Sequence, residues 1–269
     1  KRNNSEIFIL GGGTNLLIAD EGFGGLALKP DLNFLEAEKT EIKVGAGVLV
    51  SDLLDFCVAK SLSGLEWAGG LPGLVGGALR GNAGAFKGEI KDVVESVESF
   101  DITSFQEKRR SRSDCRFNYR SSIFKESDRK EIILAATLRL KSGDAEKIKK
   151  AIQEKIDYRR ERHPMEYPNI GSIFKNVDLE AIPRDERLKF KSVVKTDPFP
   201  VVPAAYLIAE AGLKGVSCGG AMISPKHPNF IVNVMEARAA DVKPLVELVK
   251  HTIKEKFGIK LEEEVQFVA

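Results

Sequence analysis

Between Gly69 and Gly77 five glycines fall within nine residues, Gly-Gly-Leu-Pro-Gly-Leu-Val-Gly-Gly, and a second cluster, Gly11-Gly12-Gly13-Thr14-Asn15, ends an apolar run from Ile7 to Leu10. Fixing a glycine costs more chain entropy than fixing any other residue. Such density therefore marks turns at positive φ or a backbone that another group approaches closely. Consecutive N–H groups with no Cβ in the way also make a concave anion site, a form that suits a diphosphate. The longer cluster leads into Arg80-Gly81-Asn82-Ala83-Gly84, and the two loops are expected to grip one dinucleotide from opposite sides. Taken singly, either cluster is also what a tight turn needs. Leu16 and Leu17 stand where a Rossmann fingerprint would place its third glycine, and neither cluster ends in Gly-Lys-Ser/Thr. The first observation disfavours a nicotinamide fold of that kind and the second excludes an NTP-binding P-loop.

Composition narrows the class. The 269 residues are 43% apolar, enough for two cores with a cleft between them. Forty-one basic against thirty-nine acidic residues leave a net charge of +2, too little to point to nucleic acid or a membrane surface, so a small molecule is the expected partner. Cys57, Cys115 and Cys218 lack metal-ligand spacing and are odd in number, which fits a reducing cytoplasm. No apolar run nears the roughly 20 residues a membrane span needs, and the start, Lys1 to Glu6, is polar. A cytoplasmic enzyme, most simply a monomer with no metal site, is the expectation.

Periodicity gives the elements. Strands are expected at Ile7–Leu10, Leu26–Leu28, Ile42–Val44, Val93–Phe100, Phe230–Val234 and Val265–Val268, and across Ile132, Leu134, Ala136, Leu138 and Leu140 on one face. Leu53, Leu54, Cys57 and Val58 share a helical face between Ser51, read as N-cap, and Gly64. Asp144 caps a helix carrying Ile148, Ile152 and Ile156. A short helix follows Pro203 and ends at Gly212, and a last one runs from about Asp241 to Phe257 before Gly258. The charged stretch Lys108 to Arg112 reads as a solvated turn.

Seven segments in order carry a resemblance: Gly11-Gly-Gly-Thr-Asn-Leu-Leu17, Gly64 to Gly77, Arg80-Gly-Asn-Ala-Gly-Ala85, Cys115-Arg-Phe-Asn-Tyr-Arg-Ser-Ser122, Gly171-Ser-Ile-Phe-Lys-Asn176, Ala211-Gly-Leu-Lys-Gly215 and Leu261-Glu-Glu-Glu-Val265. Through them the chain resembles the UDP-N-acetylenolpyruvoylglucosamine reductase (MurB) family. The short Arg120 to Ser172 spacing is like its compact, type II branch, which lacks an extra tyrosine-bearing loop. The resemblance implies an α+β protein: a two-part FAD-binding domain of the FAD-linked oxidase (PCMH) type over residues 1–143, a smaller α+β substrate domain over 144–260, and a strand, 261–269, returning to the active site. The family carries several tens of residues ahead of the Gly-Gly-Gly-Thr-Asn segment, so the first subdomain is expected to lack its leading part. Glu263 stands where the family has proline.

The implied reaction is NADPH-dependent reduction, through non-covalent FAD, of a nucleotide-sugar enolpyruvyl ether in peptidoglycan precursor synthesis. By resemblance, Ser172 is the proton donor, and Arg120 and Glu264 flank the substrate carboxylate. FAD falls to Gly11, Gly12, Gly13, Thr14, Asn15, Leu16, Gly73, Val75, Gly76, Gly77, Asn82, Ala83 and Gly84, with Glu89 nearby; the nucleotide sugar falls to Tyr119, Lys175, Asn176, Lys214 and Asn229. Trp67 reads as core packing, and His163 and His227 as structural or rim residues. Two alternatives stay open: an FAD-linked sugar or alcohol oxidase, and a non-catalytic flavin or nucleotide-sugar binder.

Overall fold

The computed structural model describes residues 6–127 and 130–269; Lys1–Ser5 of the polar start lies outside them. The chain forms two compact units, one of residues up to Thr14 with Gly24–Arg159, the other of Asn15–Phe23 with Arg160–Ala269. The sequence reading divides the chain at 143–144. The units part later because the Ala145–Arg162 helix lays Ile148 and Ile152 into the first unit's core. Asp144 caps that helix as expected, its Oδ1 accepting from Lys147 N at 2.9 Å.

In the first unit five antiparallel strands lie in the order Gln106–Ser111, Val94–Asp101, Glu131–Arg139, Glu41–Gly45, Leu35–Glu38. Ile42, Val44, Val97 and Leu138 are fully buried with Leu53 and Leu79 from helices Val50–Ala59 and Val75–Arg80. Each such side chain contributes about 1.5–3 kcal/mol of burial free energy.

Three local expectations change. The first helix starts at Val50, with Leu49 as an N-cap that makes no side-chain bond, because Val50 N donates to Gly73 O at 3.0 Å; a glycine-loop carbonyl takes over the capping role. It ends at Ala59, since Ser61 adopts φ 54° and Leu62 enters a strand pair. In Glu131–Arg139 the register shifts between Ile133 and Ala135, so inward positions change from Glu131, Ile133 and Ala135 to Ala136 and Leu138. The Leu134 carbonyl accepts from Ala46 N at 2.8 Å, so the bulge remains hydrogen-bonded. Finally, Lys108–Ser111 is strand, not turn: Arg110 Nε bonds the buried Glu131 at 3.0 Å and Lys108 Nζ bonds Asp101 at 2.6 Å. Those carboxylates explain why alternate basic residues face one side.

The second unit holds a four-stranded antiparallel sheet, Asn169–Ser172, Phe230–Asn233, Ala221–Ile223, Ser217–Cys218. Leu207 and Ile208 of helix Ala204–Glu210, and Leu245, Val246, Val249 and Ile253 of helix Ala239–Phe257, fill its core. The long helix starts two residues before Asp241, its first amides, Ala239 and Ala240, donating to Asp20 at 2.9 and 3.1 Å. Gly258 closes it at φ 68°, the left-handed conformation glycine tolerates best. The last strand, Gln266–Val268, pairs in parallel with Leu16–Ile18.

Candidate active site

The two glycine loops touch. A Cβ on Gly12 would lie 3.0 Å from Gly73 Cα, and one on Gly73, itself at φ 103°, would lie 2.9 Å from Thr14 Oγ1. Neither position accepts a larger residue without moving the other loop. A Cβ at Gly11, Gly13 or Gly77 would meet nothing within 4 Å. Among the described residues, the N–H groups of Gly11 to Thr14 and of Gly77 donate to no other group. Unpaired amides beside open glycine backbone form a cradle for an anionic group, and the diphosphate of FAD fits that donor set.

Other glycines of the longer cluster have different reasons. A Cβ on Gly69 would lie 2.4 Å from Ile152 O, and one on Gly70 would lie 3.0 Å from Arg159 Cδ, so this pair lets the 145–162 helix approach. Val75 and Gly76 amides donate to Val48 O and Ala46 O, both at 2.9 Å, and Val75 is fully buried. The sequence reading gives both to the cofactor; their amides are already engaged, and Gly77 is the open position of that turn.

Asn82 is also engaged. At φ 43° and fully buried, it donates Nδ2 to Glu89 Oε1 and Asn118 O, each at 3.0 Å, while Oδ1 accepts from Lys91 N at 3.3 Å. Its side chain joins the 82–91 segment to the turn before Arg120. Glu89 is held by Asn82, by Lys91 and by a reciprocal cap with Asp92. Between them Gly84–Ala85 and Gly88–Glu89 form a hairpin whose tip, Phe86 and Lys87, takes φ 51° and 67°, a type I′ turn. A Cβ on Gly88 would lie 2.3 Å from Trp67 Cδ1, so Trp67 packs on this backbone.

The hairpin holds Arg120. Its Nη2 donates to Gly84 O at 2.9 Å, and its guanidinium lies 5.1 Å from the Tyr119 ring centroid. Arg120 sits at φ 52° in a tight Asn118–Ser121 pair, and Lys125 Nζ donates to its carbonyl at 2.9 Å. Non-glycine residues at positive φ are uncommon and concentrate at functional positions.

In the second unit Ser172 and Glu264 come together through Ile173. Glu264 N donates to Ile173 O at 2.7 Å, and Lys175 N to Glu262 O at 2.9 Å. Asn15 Nδ2 donates to Glu264 O at 2.9 Å, and Gln266 N returns to Asn15 O at 3.1 Å. Asn15, expected at the cofactor, thus fixes the backbone of Glu264, and Leu16 continues from it into the strand paired with Gln266. Ser172 is half-buried at the sheet edge after Gly171, whose φ is 82°, and its hydroxyl has no hydrogen bond among the described residues. Glu263 bridges to Phe174 and pairs with Lys250 at 2.9 Å, so the turn forms without proline.

The residues expected at the nucleotide sugar divide. Asn229 is 3% exposed, donating Nδ2 to Phe174 O at 2.8 Å and accepting Phe174 N at 3.0 Å. Both bonds tie its side chain to the Phe174 backbone, a scaffold role. Asn176 Oδ1 accepts from Ala204 N at 3.2 Å, at the start of a helix. Lys175 pairs with the exposed Glu262, Lys214 is exposed, and Tyr119 is half-buried. Burial pushes the Cys57 and Cys115 thiols up to about 12, which makes them inert as nucleophiles. His227 packs against His163 and Phe230, its ring centroid 5.2 and 4.8 Å away. Among the described residues, no group of three or more His, Cys, Asp or Glu is placed to hold a metal, and no helix is long and apolar enough to cross a membrane. Sequence reasoning passed over Asn118 and Asp20, whose partners lie 36 and 219 residues away.

Residues 1–103 match the FAD binding domain family, and residues 163–268 match the C-terminal domain of UDP-N-acetylenolpyruvoylglucosamine reductase. The α+β fold and the glycine cradle are those of an FAD-dependent oxidoreductase. The chain is 38% identical to the UDP-N-acetylenolpyruvoylglucosamine reductase of Caldanaerobacter subterraneus subsp. tengcongensis, covering 97% of this chain and 78% of that one. It is 36% identical to UDP-N-acetylenolpyruvoylglucosamine reductase 1 of Bacillus cereus, over 100% of this chain and 82% of that one. The crystal structure of the Thermus caldophilus reductase superposes with a TM-score of 0.77 at 31% identity, covering 99% of this chain and 87% of that one. The chain belongs to the UDP-N-acetylenolpyruvoylglucosamine reductase family.

Proposed function

We propose that the chain uses NADPH and non-covalently bound FAD to reduce UDP-N-acetylglucosamine enolpyruvate to UDP-N-acetylmuramate, a step in peptidoglycan precursor synthesis, as a cytoplasmic monomer. The observation that carries this reading is the pairing of Ser172 and Glu264 through the Ile173 carbonyl, in a chain of this family. An FAD-linked oxidase has no use for that pair.

The reaction adds a hydride to one alkene carbon and a proton to its neighbour. The open amides of Gly11–Thr14 and Gly77 would hold the diphosphate of FAD, which, once reduced by NADPH, would supply the hydride. Ser172 Oγ holds the proton that goes to the other carbon. Negative charge builds on the substrate carboxylate before that transfer, and Arg120, oriented by Gly84 O, offsets it. Glu264, its backbone fixed by Asn15 and Ile173, orients the carboxylate end. A serine hydroxyl is a weak acid, so its contribution depends on position. Lys175, Lys214 and Tyr119 are assigned to the nucleotide sugar.

The test is spectroscopic. The purified protein with FAD shows flavin absorbance that NADPH bleaches without oxygen and that UDP-N-acetylglucosamine enolpyruvate restores. Bleaching with no recovery, or no bleaching in excess FAD, overturns the reading.

A further inference from the structure

In the second unit the two residues before Glu264 are each tied to a cation. Glu262 pairs with Lys175, and Glu263 Oε1 accepts from Lys250 Nζ at 2.9 Å. The two ties differ. Glu262 is 73% exposed, and its lysine is the one assigned to the nucleotide sugar. Glu263 and Lys250 are 25% and 32% exposed, and Lys250 belongs to the long helix Ala239–Phe257, apart from the residues assigned to substrate. Lys250 also meets Glu247, one helical turn back, at 2.9 Å, but that carboxylate is 68% exposed. Withdrawal of both partners from water, together with a span between two elements, sets the Lys250–Glu263 pair apart from an ordinary surface ion pair.

The same helix reaches Glu264 by a second route. Its first amides, Ala239 and Ala240, donate to Asp20. From Asp20 the chain runs back through Ala19, whose N donates to Val268 O at 2.7 Å, and through the strand Leu16–Ile18, paired with Gln266–Val268. It ends at Asn15, whose Nδ2 holds Glu264 O. Lys250 grips the residue just before Glu264, so one helix controls the turn from two directions. Val249, the neighbour of Lys250, is 1% exposed, and Leu245, Val246 and Ile253 bury the helix in the core of this unit. Close-packed side chains of this kind resist displacement, so the turn takes its position from the helix.

We propose that Lys250 is a positioning residue for reduction of the enolpyruvyl group: its ion pair with Glu263 sets where the Glu264 backbone, and with it the Glu264 carboxylate, meets the substrate. The inference rests on the reaction proposed above and adds a residue to it. Lys250 acts through Glu263 and not on the reacting atoms. Position counts most in the step where charge develops, and a misplacement of about 1 Å there costs up to about a hundredfold in rate. Asn15 and Ile173 also hold the turn, so losing the pair loosens it without releasing it. The expected loss is about three- to tenfold.

The holoenzyme tests this. FAD-loaded protein, reduced by NADPH without oxygen, is mixed with UDP-N-acetylglucosamine enolpyruvate at rising concentrations, and flavin reoxidation is followed in a single turnover. Lys250→Met keeps the aliphatic stem and loses the charge. Its limiting rate should fall about three- to tenfold, while the half-saturating concentration and the rate of reduction by NADPH stay within about twofold of the parent. Lys250→Arg should restore most of the rate, which a packing defect would not allow. Glu263→Gln should match Lys250→Met, and the double variant should lose no more than either single one, because both changes break one interaction. Glu247→Gln should react like the parent. An unchanged limiting rate in Lys250→Met, a loss confined to half-saturation, an equal loss in the NADPH step, or losses that multiply in the double variant each overturn the proposal. Parent protein that NADPH reduces and the enolpyruvyl substrate never reoxidises overturns the assigned reaction, and this proposal with it. If Lys250→Met does not fold, judged by its melting curve, Glu263→Gln carries the comparison, and a parental limiting rate there is the refuting result.

Discussion

Replacing Asn229 by alanine separates a scaffold from a ligand-binding residue. The side chain is 3% exposed and closes a two-bond ring with the Phe174 backbone, at 2.8 and 3.0 Å. Removing it deletes two buried hydrogen bonds and leaves Phe174 N–H and C=O facing a void. At about 1–1.5 kcal/mol per bond, plus the desolvation cost of the orphaned groups, the loss is about 3–4 kcal/mol. For a chain of this size, that lowers Tm by about 8–12 °C. Because Ser172 lies two residues before Phe174 and Glu264 N bonds the carbonyl between them, the oxidative half-reaction should slow even at saturating substrate. Melting curves and single-turnover flavin reoxidation check both effects. A variant that melts with the parent and shows only a raised substrate Kd would refute this reasoning and return Asn229 to the nucleotide sugar.

Three further outcomes follow from the geometry. Ser172→Ala should leave reduction of the flavin by NADPH near normal and slow its reoxidation by substrate at least about a hundredfold, the range general acid catalysis supplies, as stopped-flow traces would show. Gly12→Ala places a Cβ 3.0 Å from Gly73 Cα and should weaken FAD binding at least about tenfold, read by flavin fluorescence, since the two loops must part. His227 has a folded pKa pushed down to about 4, chiefly by burial. Below the unfolded value near 6.5 the unfolded chain takes up the proton first. Stability is therefore complete above about pH 6.5 and falls towards pH 4 by up to about 3 kcal/mol; urea curves of His227→Phe should lose this slope.

Legibility in the sequence followed the range of the interaction. Periodic elements such as the 145–162 and 239–257 helices could be read because their apolar stripes and caps lie within the segment. The bulge at Leu134 could not, because it depends on Ala46 N donating to that carbonyl from across the sheet. Lys108 to Ser111 looked like a turn because Glu131, which makes alternate cations useful, is more than 20 residues away. The site shows the same division. Motif resemblance put Arg120, Ser172 and Glu264 forward, yet nothing local marks Asn15 as the residue that holds the backbone of Glu264, or Gly84 as the acceptor that holds Arg120.

The glycine clusters show why residue type alone under-determines a site. Gly69 and Gly70 admit a helix, Gly73 admits Thr14, Gly76 admits Ala46, and Gly77 meets nothing. Equal density therefore covers close packing at four positions and an open amide at one. The same test sorts the asparagines: Asn82 and Asn229 each spend donor and acceptor on backbone or a buried carboxylate. What can bind a ligand is whatever donor or charge the fold leaves over. In the first unit that remainder includes the Gly11–Thr14 amides and Gly77, which is why the cradle is assigned to a diphosphate.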